Sequence, residues 1–178
     1  MEILRRDAAT IRWKQYWDQT QHEWCKLEVL QDYTGEDVRP SLQAYIDGDP
    51  ALGLALLQQE TQQSTWRNAC QQKHDQGVML RRIRILEAPH TPYTQWELEY
   101  FKLVNIPGHE EIFVVDKNDL GSLSLPGGDV VIFDNQRAVV NIYDKTMRME
   151  EQAFYTDTES MAGFLSLKES LLGMAVAL

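Results

Sequence analysis

The spacing of apolar residues changes at Gly77, and that change restricts the possible fold more than any other feature of the chain. From Ala51 to about Gln76 the pattern is helical: Leu52, Leu56, Trp66 and Cys70 fall near one face. Gly77 then stands where a helix C-terminal cap is expected. The glutamines of this stretch (Gln58, Gln59, Gln62, Gln63, Gln71, Gln72, Gln76) are good helix formers and read as a solvated face. Beyond Gly77 the period becomes that of strands. Val78 to Leu86 reads as a strand, and Pro89 and Pro92 mark the loop after it. Thr94 to Val104 alternates Trp96, Leu98 and Tyr100 against Gln95, Glu97 and Glu99, the pattern of a half-buried strand.

Glu111 to Asp116 is short and apolar, a strand or a buried helical turn, and Pro126-Gly127-Gly128 forces a turn. Val130–Phe133 and Ala138–Tyr143 predict a hairpin around Asp134-Asn135-Gln136. Met149 to Tyr155 is expected as the last strand. Thr158 to Ala177 is expected as a closing helix, with Thr158 as N-cap and Glu159 in the first turn. Upstream, residues 7 to 30 read as helix, in one long or two short segments, anchored by Ile11, Trp13, Tyr16, Trp17, Trp24, Leu27 and Leu30. Gly35 and Pro40 bracket a loop, and Ser41 to Ile46 is a short helix stopped by Asp47-Gly48-Asp49-Pro50. Helices first, then strands, then a helix predict an α+β (α/β) fold with one mixed sheet flanked by helices. The expected division is a helical N-terminal extension over 1–50 and an α/β domain over 51–178, forming one compact unit.

At 178 residues the chain is long enough to bury its own core, and its 43% hydrophobic and 25% charged content is ordinary for a globular domain. The formal net charge of -10 repels phosphate backbones, so direct nucleic-acid binding is disfavoured, and proteins or small molecules are the expected partners. Cys25 and Cys70 lie far apart with no metal-ligand spacing. With no apolar leader and no long apolar run, the expected location is the cytoplasm, and no membrane association is expected.

No catalytic constellation stands out. His22, His74, His90 and His109 fall in no metal motif, and neither a nucleophile elbow nor a phosphate-cradling loop occurs. Neither a metal nor a cofactor is expected. The informative cluster is charged: Arg81, Arg82 and Arg84 on one strand, with Arg82 and Arg84 on one face, against Glu97 and Glu99 on the segment read as the next strand. Such charges can pair across a sheet, or the arginines can floor a pocket for an anionic group. Glu87, Tyr93 and Asp134 sit at strand ends, where α/β sheets place ligands. The candidate binding residues are therefore Arg82, Arg84, Glu87, Tyr93, Glu97, Glu99 and Asp134, with no catalytic residue assigned. Trp13, Tyr16, Trp17, Trp24 and Tyr33 concentrate near the N-terminus and suit helix packing or an interface. The apolar C-terminal helix and the Trp-rich N-terminus both suit a homodimer.

Several ordered segments resemble an uncharacterised bacterial family, common in actinobacteria, whose members often lie beside helix-turn-helix regulators. They are Trp24-Cys25-Lys26-Leu27-Glu28 with Tyr33, Asp47-Gly48-Asp49, Gly77, Arg81-Arg82-Ile83-Arg84-Ile85, Glu87-Ala88-Pro89, Tyr93 and Trp96-Glu97-Leu98-Glu99. Asn105, Gly108, Glu110-Glu111-Ile112, Asp129 to Asp134 and Tyr143-Asp144 complete the set. The second half is also similar to phospholipase D-like lobes. Their H-x-K signature is missing here, and Asn141-Ile142-Tyr143 supplies no nucleophile. The missing catalytic motifs, the acidic charge and this resemblance together lead to the expectation of a non-catalytic cytosolic regulatory module that binds a partner protein, such as a helix-turn-helix regulator, or a small ligand. The alternative is a small biosynthetic enzyme using a carboxylate such as Glu87, Glu97 or Asp134 as acid or base.

Overall fold

The structure, a computed structural model, describes residues 1–33 and 38–178, so the loop expected at Gly35 lies outside the described residues. One mixed eight-stranded sheet organises the chain, in the order β1-β7-β6-β5-β2-β3-β4-β8. Its strands are β1 (Glu2–Arg5), β2 (Glu23–Glu28), β3 (Met79–Leu86), β4 (Glu110–Asp116), β5 (Val130–Phe133), β6 (Arg137–Tyr143), β7 (Met149–Tyr155) and β8 (Val176–Ala177). The helices are α1 (Arg6–Asp18), α2 (Pro40–Ile46), α3 (Pro50–Glu60), α4 (Thr65–Asp75), α5 (Pro92–Tyr100) and α6 (Thr158–Met174). The expected α+β class, a mixed sheet flanked by helices, is what the chain adopts. β2 runs parallel to β3, and β3 parallel to β4, while the remaining pairs are antiparallel.

Both faces of the sheet are covered, by different chemistry. On one face Cys25, Leu27, Ile83, Ile85, Val130 and Ile132 form an apolar layer closed by Met161 and Leu171 of α6. On the other, α1 lays Ala9 and Tyr16 over Trp24, Phe133 and Phe154. Helices α2 to α5 cover the rest of that face, with a small core of Leu42, Tyr45, Leu57 and Trp96 among themselves. The gap between these two helical groups is where polar side chains stand on the sheet.

Three readings of the sequence are corrected here. The stretch 7–30 is not all helix: α1 ends at Asp18, and 23–28 is the strand β2. The backbone N–H groups of Gln21, His22 and Glu23 donate to the Asp134 carboxylate, which fixes extended chain where local propensity favours helix. Residues 1–50, expected as a helical extension, thus contribute β1 and the central β2 to the same sheet as the rest. Second, 94–104 is not a strand. Thr91 caps α5 by accepting from Thr94 N–H, Pro92 opens the first turn, and a π-helical turn, Phe101–Asn105, extends the helix. Third, the helix over 51–76 is broken: α3 ends at Glu60 and Ser64 caps α4, with Leu57 fully buried and Leu52 half exposed.

The remaining expectations are matched closely. β3 follows Gly77, whose φ of +85° is open to glycine. The β5–β6 hairpin turns through Asp134-Asn135-Gln136 between the paired Phe133 and Arg137, with Asp134 and Asn135 both at positive φ. β4 is a strand rather than a helical turn, and α6 takes Asp157 rather than Thr158 as its N-cap. α6 ends at Met174, so Val176–Ala177, expected within this helix, instead forms the edge strand β8.

Candidate functional site

The candidate site lies on the helix-covered face of the sheet, and register places its polar residues side by side. Lys26 is paired with Arg82 and Glu28 with Arg84 across β2 and β3. Asn141 is paired with Gln152 across β6 and β7. The period of two along each strand aims these side chains at the same face as Trp24 and Val131. The carboxylates come from several elements: Glu28 ends β2, Glu110 begins β4, Asp129 precedes β5, and Glu97 projects down from α5.

These groups form one buried network. Arg82 donates from Nε to Glu110 at 2.7 Å and from Nη1 to Glu28. Lys26 Nζ lies 2.6 Å from Glu28 and 3.6 Å from Asp129. Arg84, with no exposed surface, donates from Nε to Glu97 at 2.6 Å and from Nη1 to the Leu30 carbonyl at 2.5 Å. Asp129 accepts from Tyr33 OH at 2.6 Å, Tyr143 OH at 3.0 Å and Val29 N–H at 3.1 Å. Glu110 also accepts from Asn105 and from the Trp66 indole at 3.2 Å. Buried charges persist only when paired and hydrogen-bonded in this way.

Two carboxylates of the network are shifted in opposite directions. Burial alone would raise Glu28, but Arg82, Lys26 and Arg84 hold it down at about 2. Burial pushes Glu97 up to about 7, and the Glu28 charge adds to the push against the pull of Arg84. Tyr93, whose OH donates to Glu97 at 3.3 Å, is itself pushed well above the ordinary tyrosine range by burial and by Glu97.

Above this floor opens a cleft of about 450 Å³, walled by Trp13, Trp24, Trp66, Trp96, Tyr100 and Phe101. A second pocket of about 350 Å³ shares its Lys26, Glu28, Tyr93, Trp96, Asn141 and Met149 lining and extends it toward Tyr33 and Arg39. The Arg82 guanidinium lies over the Trp24 ring at 5.7 Å and over Phe101 at 5.4 Å. Three residues lining the larger cleft carry a buried polar atom with no hydrogen-bond partner: Trp24 Nε1, Glu28 Oε2 and Asn105 Oδ1. Unsatisfied buried groups are uncommon in folded proteins, and three of the five among the described residues line this cleft, the others being Arg84 Nη2 and Arg137 Nε.

Of the seven residues proposed from sequence, the structure brings four together: Arg82, Arg84, Tyr93 and Glu97. Glu97 and Glu99 are not on the next strand but on α5, so the expected cross-strand pairing becomes a strand-to-helix ion pair, Arg84–Glu97. Glu99 instead pairs with Lys102 on the helix's outer side. Glu87 is exposed and pairs with Lys117. Asp134 sits in the β5–β6 turn, where it caps the start of β2 and takes a contact from Arg137. The residues missed by motif reasoning are Lys26, Glu28, Glu110, Asp129, Asn105 and the indole walls. The alternation Trp24, Lys26, Glu28 was their signal, hidden by reading 7–30 as helix. Among the described residues no three His, Cys, Asp or Glu side chains gather as a metal-holding group, and no helix is long and apolar enough to cross a membrane.

A family model described as Domain of unknown function (DUF6879) matches residues 11–178. No curated protein matches the chain. Among solved structures it is similar to TrmBL2, an archaeal chromatin protein described as showing a novel mode of DNA binding, with 15% identity and a TM-score of 0.48. That similarity covers 99% of this chain and 54% of the other, so the chain spans about half the length of TrmBL2. A likeness at this level bears on neither the architecture nor the ligand of the present chain.

Proposed function

The chain belongs to this family, Domain of unknown function (DUF6879), and from that premise we propose that it is a non-catalytic module that binds a small molecule in the aromatic-walled cleft. The observation that supports the reading is the coincidence of a ligand-sized concavity with three unpartnered buried polar atoms, over a network in which Lys26, Arg82 and Arg84 are each ion-paired. Small-molecule sites have this makeup, an apolar aromatic wall with a few fixed polar groups, at volumes of about 300–1,000 Å³. In this reading the protein is cytoplasmic and regulatory, and ligand occupancy is sensed by a second copy of the chain or by a helix-turn-helix regulator.

The test is native mass spectrometry of the protein purified from its own host. A non-covalent small-molecule adduct is expected on the wild type. It should be lost in Met149→Trp, which fills the mouth shared by the two pockets. Absence of an adduct, or one equally retained by the variant, overturns the reading.

One observation favours an enzyme instead. Glu97, held near neutrality at about 7 beside Tyr93, has the character of an acid–base group. Release of the adduct as a chemically altered compound on incubation would establish that alternative.

A further inference from the structure

We infer that the cleft takes a small organic cation, an amine or amidine on a flat apolar body, with its charged nitrogen at Glu28 and its body between the indoles. The inference rests on the binding reading above and names the class of ligand.

Charge is the first argument. The buried network holds three cations, Lys26, Arg82 and Arg84, against four carboxylates, Glu28, Glu97, Glu110 and Asp129. Every cation is already committed: Lys26 to Glu28 and Asp129, Arg82 to Glu28 and Glu110, Arg84 to Glu97. An anionic ligand would have to take one of them from its carboxylate and leave that carboxylate buried and unpaired. A cationic ligand meets the site's one-carboxylate surplus directly.

The unpartnered atoms are the second argument. Glu28 is 4% exposed and Asn105 1%, both line the cleft, and each carries an oxygen that accepts no hydrogen bond. Two free acceptors beside one free donor, Trp24 Nε1, call for a ligand richer in donors than in acceptors, and an ammonium or amidinium offers only donors at its charged end. The walls are the third argument. Indole and phenyl faces attract cations, and the same Trp24 and Phe101 rings already bracket the Arg82 guanidinium.

Glu97 shows where the surplus charge resides while the cleft is empty. It faces Arg82 and Arg84 from β3, Glu28 from β2 and Tyr93 from its own helix, and burial with the Glu28 charge raises it to about 7. Protonation of Glu97 offsets the surplus as pH falls below about 7, and a cation bound at Glu28 favours the ionised Glu97 paired with Arg84.

Tryptamine, tryptophol and indole-3-acetate share one body and differ in charge, so isothermal titration of the wild type with the three separates the contributions. Tryptamine is expected to bind about tenfold or more tighter than tryptophol, with indole-3-acetate weaker still. The advantage should widen as pH is raised through about 7, with proton release seen as a buffer-dependent heat. Binding should vanish in Met149→Trp, and the charge preference should vanish in Glu28→Gln. Should Glu28→Gln fail to fold, the wild-type pH series carries the same information. Equal or tighter binding of the neutral or anionic compound overturns the cation inference and leaves the binding reading standing. If none of the three binds, the cation inference falls, and the adduct on the native protein still decides the binding reading.

Discussion

Glu97 and Glu28 lie in one network, yet their titrations act on stability in opposite directions. Glu28, held at about 2 in the folded protein against an ordinary value of 4.5, contributes stability at neutral pH that is lost as pH falls from 4.5 toward 2. For Glu97 the folded value of about 7 lies above 4.5, so the folded state holds the proton more tightly than the unfolded chain. Stability from this group is therefore full below 4.5 and declines as pH rises to about 7. Glu97→Gln keeps the neutral shape at every pH, so it should remove that decline. Urea midpoints measured across this range should move in the variant's favour by an amount on the order of 1–3 kcal/mol as pH rises. A constant difference between variant and wild type would show that Glu97 does not change its protonation over this range.

At the scale of the element, the hairpin β5–β6 forms one flank of the cleft, and Gly128 secures its entry. A Cβ on Gly128 would run into the Asn141 carbonyl, backbone that cannot move without shifting β6, whereas a Cβ on Gly127 meets nothing within 4 Å. Gly128→Ala is expected to destabilise by more than about 3 kcal/mol, while Gly127→Ala stays within about 0.5 kcal/mol, both read by urea unfolding. Equal effects would place the Gly128 backbone away from Asn141. This hairpin was legible in the sequence because two short apolar runs flank the turn residues Asp134-Asn135-Gln136. α5 was not, because Trp96, Leu98 and Tyr100 satisfy a period of two while Tyr93, Trp96, Tyr100 and Val104 satisfy a helical spacing equally well. The deciding signal was local, Thr91 as a cap ahead of Pro92 at the first helical position, and it outweighs the alternation. β2 is a different case. Nothing within 7–30 marks its start, since the amides that open the strand are held by Asp134, more than a hundred residues away. With β2 went half of the site, because Lys26 and Glu28 align with Arg82 and Arg84 only when both segments are strands in parallel register.

Across the whole molecule, β2 joins two parts of the sheet. It pairs antiparallel with β5 on one side and parallel with β3 on the other, so the β1-β7-β6-β5 sheet and the β3-β4-β8 sheet meet only through it. The cleft has the same dependence: its Trp24, Lys26 and Glu28 come from β2, its Arg82 from β3, and its Asn141 and Gln152 from β6 and β7. Residues 51–178 alone would therefore lack the central strand, the α1 cover over Phe133 and Phe154, and the Glu28 carboxylate that holds Arg82. Two half-sheets with unpaired inner edges and an exposed apolar layer do not form a stable unit. The fragment 51–178 is expected to show no cooperative thermal unfolding and to aggregate at concentrations where the full chain stays monodisperse, as read by circular dichroism and light scattering. Adding residues 1–33 as a separate peptide should restore a cooperative transition if β2 is the piece that matters. A fragment that melts cooperatively by itself would mean that β3 and β5 can pair without β2, and that the cleft is an accessory built on an already complete domain.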